Sequence, residues 1–104
     1  MPSPGEHHPA FEEYCECIFE LQEDDVDVIQ ARIAERLQVS RPAVSEMMKR
    51  LEAEGLITAD KAIVLTPAGK RLAEQVVRRH RLAERFLTDV LKLSWAEAHH
   101  EAGR

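Results

Sequence analysis

Two amphipathic helical patterns joined by only three residues constrain this chain more than any other feature. The first of the pair is expected to begin near Asp27, whose carboxylate can cap the first turn, with Gln30 three residues on as in a capping box. Ile29, Ile33 and Leu37 then recur on one face, and Ala31 and Ala34 leave room for close packing. Gln38-Val39-Ser40 is a turn. Ser40 is placed to cap the next helix, with Pro42 in its first turn, where a missing N–H costs little. Val44, Met47 or Met48, and Leu51 form the buried stripe of that helix, and Gly55 stops it. Residues 56–59 and 63–66 follow as β-like runs around Asp60-Lys61-Ala62, a short hairpin. Helix, short turn, helix and hairpin make a winged helix-turn-helix, in which the second helix of the pair enters the major groove of DNA.

The flanks are also helical. Residues 1–9 carry Pro, Ser, Gly and His without apolar period and are expected to be a disordered tail. From Ala10 to about Gln22, Phe11, Tyr14, Cys15, Ile18 and Leu21 recur at three- and four-residue steps until Asp24-Asp25 breaks the pattern. Thr66-Pro67 restarts a helix in which Leu72, Val76, Ala83 and Leu87 keep helical spacing to about Leu91. Ser94-Trp95-Ala96-Glu97 reads as a further capping box opening another helix. The fold class is therefore mainly α, with a winged helix-turn-helix over residues 10–70.

Charge is distributed unevenly. Residues 1–25 hold eight acids and no Lys or Arg, whereas residues 26–85 hold twelve Lys and Arg against eight acids. The formal net charge of −5 thus hides a moderately basic middle, and nucleic-acid binding follows local charge. No stretch approaches the ~18 apolar residues of a membrane span, and the N-terminus lacks the basic and apolar regions of a secretory signal, so a cytoplasmic protein away from membranes is expected. Cys15 and Cys17 would point about 200° apart on a helix, which rules out a disulfide framework. His-Glu-x-x-His, paired Cys-x-x-Cys, Gly-rich phosphate-loop and Gly-x-Ser-x-Gly patterns are all missing from the sequence. With four glycines and no evident cleft, neither catalysis nor a small-molecule substrate is expected.

On the recognition helix, Ser40, Arg41, Pro42, Ala43, Ser45 and Glu46 take the positions that meet base edges. Arg32, Lys49, Arg50 and the wing residue Lys61 would supply phosphate contacts. Glu46 has two readings: a solvated acid facing away from DNA, or a groove-facing acceptor for cytosine N4 that repels phosphate. The Met47-Met48 pair reads as core rather than contact.

Several strings resemble the diphtheria-toxin-repressor family of metal-dependent transcriptional repressors. They are Ala31-Arg32-Ile33-Ala34-Glu35-Arg36-Leu37, Val44-Ser45, Leu65-Thr66 with Gly69, and above all Arg79-His80-Arg81-Leu82-Ala83-Glu84-Arg85. Trp95-Ala96-Glu97-Ala98-His99 with Glu101-Ala102 extends the likeness. The resemblance implies that residues 71–104 form a long linking helix and the start of a helical dimerisation domain. It also implies a homodimer that binds a palindromic operator when a divalent metal ties the first helix to the dimerisation helices.

By the same resemblance Glu13, Glu16, His80, Glu84 and His99 are metal ligands, with His80, Glu84 and His99 matching the family's ancillary site. Glu13 stands where iron-type members carry methionine and manganese-type members aspartate, and Glu16 matches a carboxylate of the manganese type. Carboxylates and imidazole suit Mn²⁺ or Fe²⁺ over thiol-preferring ions, and manganese is the preferred expectation. Gly103 replaces a Cys or Glu ligand of the family, and the sequence ends at Arg104 ahead of its Glu-His pair, so the resemblance implies an incomplete primary centre of weaker affinity. Two other readings remain open at this point: a winged helix that binds DNA without metal, and a dimerisation or interaction fragment that no longer meets DNA.

Overall fold

Phe11, Tyr14, Cys15, Cys17, Ile18 and Leu21 bury a wide arc of α1 (Pro9–Glu23), which lies at the centre of the fold against α4 (Pro67–Ala102), α2 (Gln30–Leu37) and the second strand of the hairpin. The computed structural model describes the backbone of residues 9–102 and the side chains of residues 9–90. Apart from Pro9, which opens α1, the expected tail lies outside the described residues. Cys17 was not expected in the core, yet it is buried beside Cys15 because helices pack on two sides of α1 rather than one.

Three successive helices end in the same way. Asp25, Gln38 and Gly55 adopt positive φ, at 57°, 56° and 73°. In each case the N–H of the next residue reaches back to a carbonyl five residues earlier: Val26 to Leu21, Val39 to Ala34 and Leu56 to Leu51, at 2.9–3.0 Å. The positive-φ N–H itself donates to Gln22, Glu35 and Glu52 respectively. These are Schellman endings, which satisfy carbonyls that the helix leaves without partners.

The first ending corrects one sequence expectation. Asp27 does not cap a helix: α2 starts three residues later, behind Ile29 in extended backbone and without a side-chain cap. Once Val26 has closed α1, residues 26–29 run without regular structure, with Val26 and Val28 packed on the core and Asp27 and Ile29 exposed. That alternation of in and out is an extended pattern, not a helical one. Ile33 is buried and Leu37 partly so, but Ile29 faces solvent.

The turn and the next helix follow the sequence closely. Gln38, Val39 and Ser40 separate α2 from α3 (Arg41–Ala53), whose first turn is capped by Ser40 Oγ accepting from the Ala43 N–H at 3.2 Å. Val44, Met48 and Leu51 are buried, so Met48 rather than Met47 is the core member of the pair. The wing is a two-stranded antiparallel hairpin, β1 (Ile57–Thr58) and β2 (Val64–Leu65), pairing Ile57 with Leu65 and Thr58 with Val64.

Thr66 locks the wing to α4. Its hydroxyl donates to the Gly55 carbonyl at 2.6 Å and accepts from the Gly69 N–H at 3.1 Å, so one side chain holds the end of α3 and caps the start of α4. Gly69 is buried against the Leu56 carbonyl, where any Cβ would overlap the oxygen. Beyond the cap, Leu72, Ala73 and Val76 join the core, and every described side chain from Arg78 onward is exposed. The backbone of α4 continues unbroken through Ser94, so the expected new helix there does not form. Neither Gly nor Pro occurs between Lys70 and Ala102 to stop the helix, and a Ser-x-x-Glu motif caps only where a break precedes it.

Candidate nucleic-acid interface and metal centre

The outward face of α3 is set by its buried stripe. With Val44, Met48 and Leu51 turned inward, Arg41, Pro42, Ala43, Glu46, Lys49 and Arg50 are exposed and Ser45 is half-buried. Arg32 on α2 and Lys61 in the five-residue wing loop are exposed as well. Ser40 Oγ accepts from the Ala43 N–H, which leaves its O–H and one lone pair to offer outward. The basic side chains Arg41, Lys49 and Arg50 make no ion pair with any described residue. By contrast Arg36, further along α2, is held by Asp24 at 3.4 Å.

The second candidate site lies where α1 meets α4. His80 Nδ1 is 2.8 Å from Glu16 Oε2, and one residue away Arg79 Nη2 donates to Glu12 Oε2 at 2.6 Å. The His80 side chain is 61% exposed, so it is not a core histidine, although it follows Val76 on the apolar spacing. Glu20, one turn beyond Glu16 on α1, belongs to the same neighbourhood. Burial first, then the Glu16 charge, pushes its carboxyl up, while Arg36 and His80 pull it down. Sequence reasoning did not single out Glu20; its i+4 relation to Glu16 was the available signal.

Of the five expected metal ligands, the structure brings together Glu16 and His80. Glu13 and Glu84 are exposed and share no hydrogen bond or ion pair with them, and the His99 side chain lies outside the described residues. Among the described residues no three His, Cys, Asp or Glu side chains are grouped closely enough to hold a metal. Glu16 and His80 nonetheless form a carboxylate–imidazole pair of the type that Mn²⁺ and Fe²⁺ accept. Cys15 and Cys17 are buried in the core, and burial pushes both thiols up to about 11, which keeps them protonated near neutral pH.

A winged helix-turn-helix whose first and last helices meet through an acid–imidazole pair narrows the comparison. Residues 8–62 match the profile described as the iron dependent repressor N-terminal DNA binding domain, and residues 66–104 match that of the iron dependent repressor metal binding and dimerisation domain. The chain belongs to the iron-dependent repressor family. It is 46% identical over 95 residues to the diphtheria toxin repressor of Corynebacterium diphtheriae, covering 89% of this chain and 42% of that one. It is 47% identical over 95 residues to the iron-dependent repressor IdeR of Mycobacterium tuberculosis, covering 89% and 41%. Among solved structures it resembles the manganese regulator SloR, with a TM-score of 0.70 at 44% identity over 82% of this chain and 40% of that one. It also resembles the metal-dependent transcriptional regulator MtsR, with a TM-score of 0.74 at 39% identity over 91% and 45%. This iron-dependent repressor family member thus spans about two-fifths of the length of the curated relatives it matches.

Proposed function

We propose that this chain is the DNA-binding portion and the beginning of the metal-binding portion of a metal-dependent transcriptional repressor. It binds a palindromic operator as a homodimer, in the cytoplasm, and carries out no catalysis. Base edges meet the N-terminal half of α3, from Ser40 to Glu46, while Arg32, Lys49, Arg50 and Lys61 hold the phosphates. The activating ion is Mn²⁺ or Fe²⁺, with manganese preferred, and Glu13, Glu16, His80, Glu84 and His99 are the residues assigned to it. Residues 10–70 form the DNA-binding unit, and residues 71–104 the linking helix and the start of dimerisation.

The observation that carries this reading is the 2.8 Å contact between Glu16 on α1 and His80 on α4. Of the two helices, α1 packs on the helix-turn-helix, whereas α4 leaves the winged-helix core after Val76. A group held between Glu16 and His80 therefore fixes the recognition helix relative to the rest of α4. Glu16 and His80 would hold a divalent cation, which would attract both side chains at once. Glu16 and His80 are already within hydrogen-bond distance, so little chain ordering opposes the change.

The test is duplex binding by fluorescence anisotropy at one fixed salt concentration, with EDTA, Mn²⁺ or anaerobic Fe²⁺, against a pool of palindromic AT-rich operators. Tighter binding with metal is expected, and the order of the two ions ranks them. Equal affinity in all three samples would leave a winged helix without a sensor. No binding to any duplex would remove the repressor reading.

A further inference from the structure

An acidic side chain stands at the middle of the basic recognition face. At 100° per residue, Glu46 lies about 200° around α3 from Val44, opposite the buried stripe. Pro42 and Ala43 precede it by one turn, and Lys49 and Arg50 follow it by one turn, all of them exposed. The ordinary role for a glutamate with Lys at i+3 and Arg at i+4 is an ion pair along its own helix. Glu46 does not take that role: it makes no hydrogen bond or ion pair with any described residue. Whatever approaches the outward face of α3 meets this carboxylate one turn ahead of the two cations Lys49 and Arg50.

That arrangement selects its partner chemically. A phosphate opposite Glu46 is repelled, so Lys49 and Arg50 can reach the backbone only where Glu46 faces a base. In the major groove, amino donors come from cytosine N4 and adenine N6 alone. Adenine carries the N7 acceptor beside its amino group, which opposes the second carboxylate oxygen, whereas cytosine places no acceptor on its own groove edge. The geometry points to Glu46 as a specificity-determining residue that accepts from the N4 amino group of a cytosine in each operator half-site and weakens binding that rests on phosphates alone. The inference rests on the proposed reading of α3 as the recognition helix.

It is tested by selecting bound duplexes from a randomised palindromic pool with the unaltered chain, Glu46→Gln and Glu46→Ala, in the presence of Mn²⁺. Affinity for one duplex of unrelated sequence is then measured for all three. The unaltered chain is expected to enrich cytosine about tenfold at one position of each half-site. Glu46→Gln should move that preference to adenine, whose N6 and N7 suit an amide, and Glu46→Ala should lose it. Both variants should bind the unrelated duplex several-fold more tightly, since a repulsive charge is gone. An unchanged base profile in both variants overturns the role of Glu46 and leaves the recognition helix standing. If the unaltered chain enriches no sequence at all, the recognition-helix reading falls and Glu46 with it. Glu46 is exposed, so far-UV circular dichroism of the variants should match that of the unaltered chain.

Discussion

The outward face of α3 and the seam between α1 and α4 are both rich in charge, but they use it in opposite ways. At the seam, polar and charged groups meet within the chain: Glu12 with Arg79 in an ion pair and Glu16 with the His80 imidazole. On α3, Arg41, Glu46, Lys49 and Arg50 meet nothing among the described residues. Charges paired across two helices position those helices. Unpaired charges on one face stay solvated and are free to meet a partner from outside. In the proposed reading, the difference separates the part of the molecule that is set from the part that meets DNA, and substitutions can break one without the other.

The largest effect is expected where the two parts join. Gly69→Ala places a methyl group on the Leu56 carbonyl oxygen, and backbone on both sides leaves little room to yield. The Thr66 cap, which ties α3 and α4 together, is displaced with it. A loss of about 3 kcal/mol is expected, the upper end of overpacking costs. In a domain of this size that lowers Tm by about 15 °C, which thermal unfolding followed by circular dichroism would measure. A Tm within a few degrees of the unaltered chain would mean that the wing and α4 are not rigidly joined, and that the seam can move independently of α3.

A smaller and more selective effect is expected at the seam itself. His80→Ala removes the imidazole that faces Glu16 but leaves no cavity, because the side chain is largely exposed. Exposed ion pairs contribute about 0–1 kcal/mol, so Tm without metal should fall by no more than about 5 °C. The gain in operator affinity on adding Mn²⁺ should fall at least about tenfold, by analogy with the loss of supporting groups at metal sites. DNA binding at zero metal, which draws on α3, should be unchanged. Unfolding of the variant would contradict the exposed position of His80, and a preserved metal response would move the metal centre away from this seam.

Much of this contrast was legible in the residues. Ser40, Pro42 and Gly55 bracket α3 because capping, first-turn and left-handed positions each demand particular chemistry. The buried stripes of α1 and α3 follow from apolar spacing, and the hairpin from two short β-like runs. The two missed caps have different causes. No break precedes Ser94, so α4 runs on through it, whereas Asp27 does follow the end of α1 but lies in an extended run that delays α2 to Gln30. Asp25 and Gln38 end their helices in the left-handed region without a glycine to announce it. The seam was legible only in part: Glu16 and His80 stood out through family resemblance, whereas Glu12, Arg79 and Glu20 depend on how α1 lies across α4, which no local pattern specifies.

Those unannounced endings supply the smallest and most discriminating effect. A residue with a Cβ held in the left-handed region costs roughly 1–2 kcal/mol. Glycine removes that cost but adds about 0.5–1 kcal/mol of unfolded-chain entropy. Gln38→Gly should therefore stabilise the fold by about 0.5–1 kcal/mol, raising Tm by roughly 3–6 °C. Asp25→Gly should gain less, because aspartate enters this region more readily than glutamine. Both positions carry the same backbone pattern, with N–H groups returning to carbonyls three and five residues earlier, so hydrogen bonding does not separate them. Only the preference of the side chain does. Gln38 also lies in the turn that aims α3, so a stabilised Gln38→Gly with unchanged operator affinity would show that the turn is already fixed by its backbone bonds. A gain at Asp25 equal to or above that at Gln38 would locate the strain elsewhere, and the orientation of the reading face would then depend on contacts other than this turn.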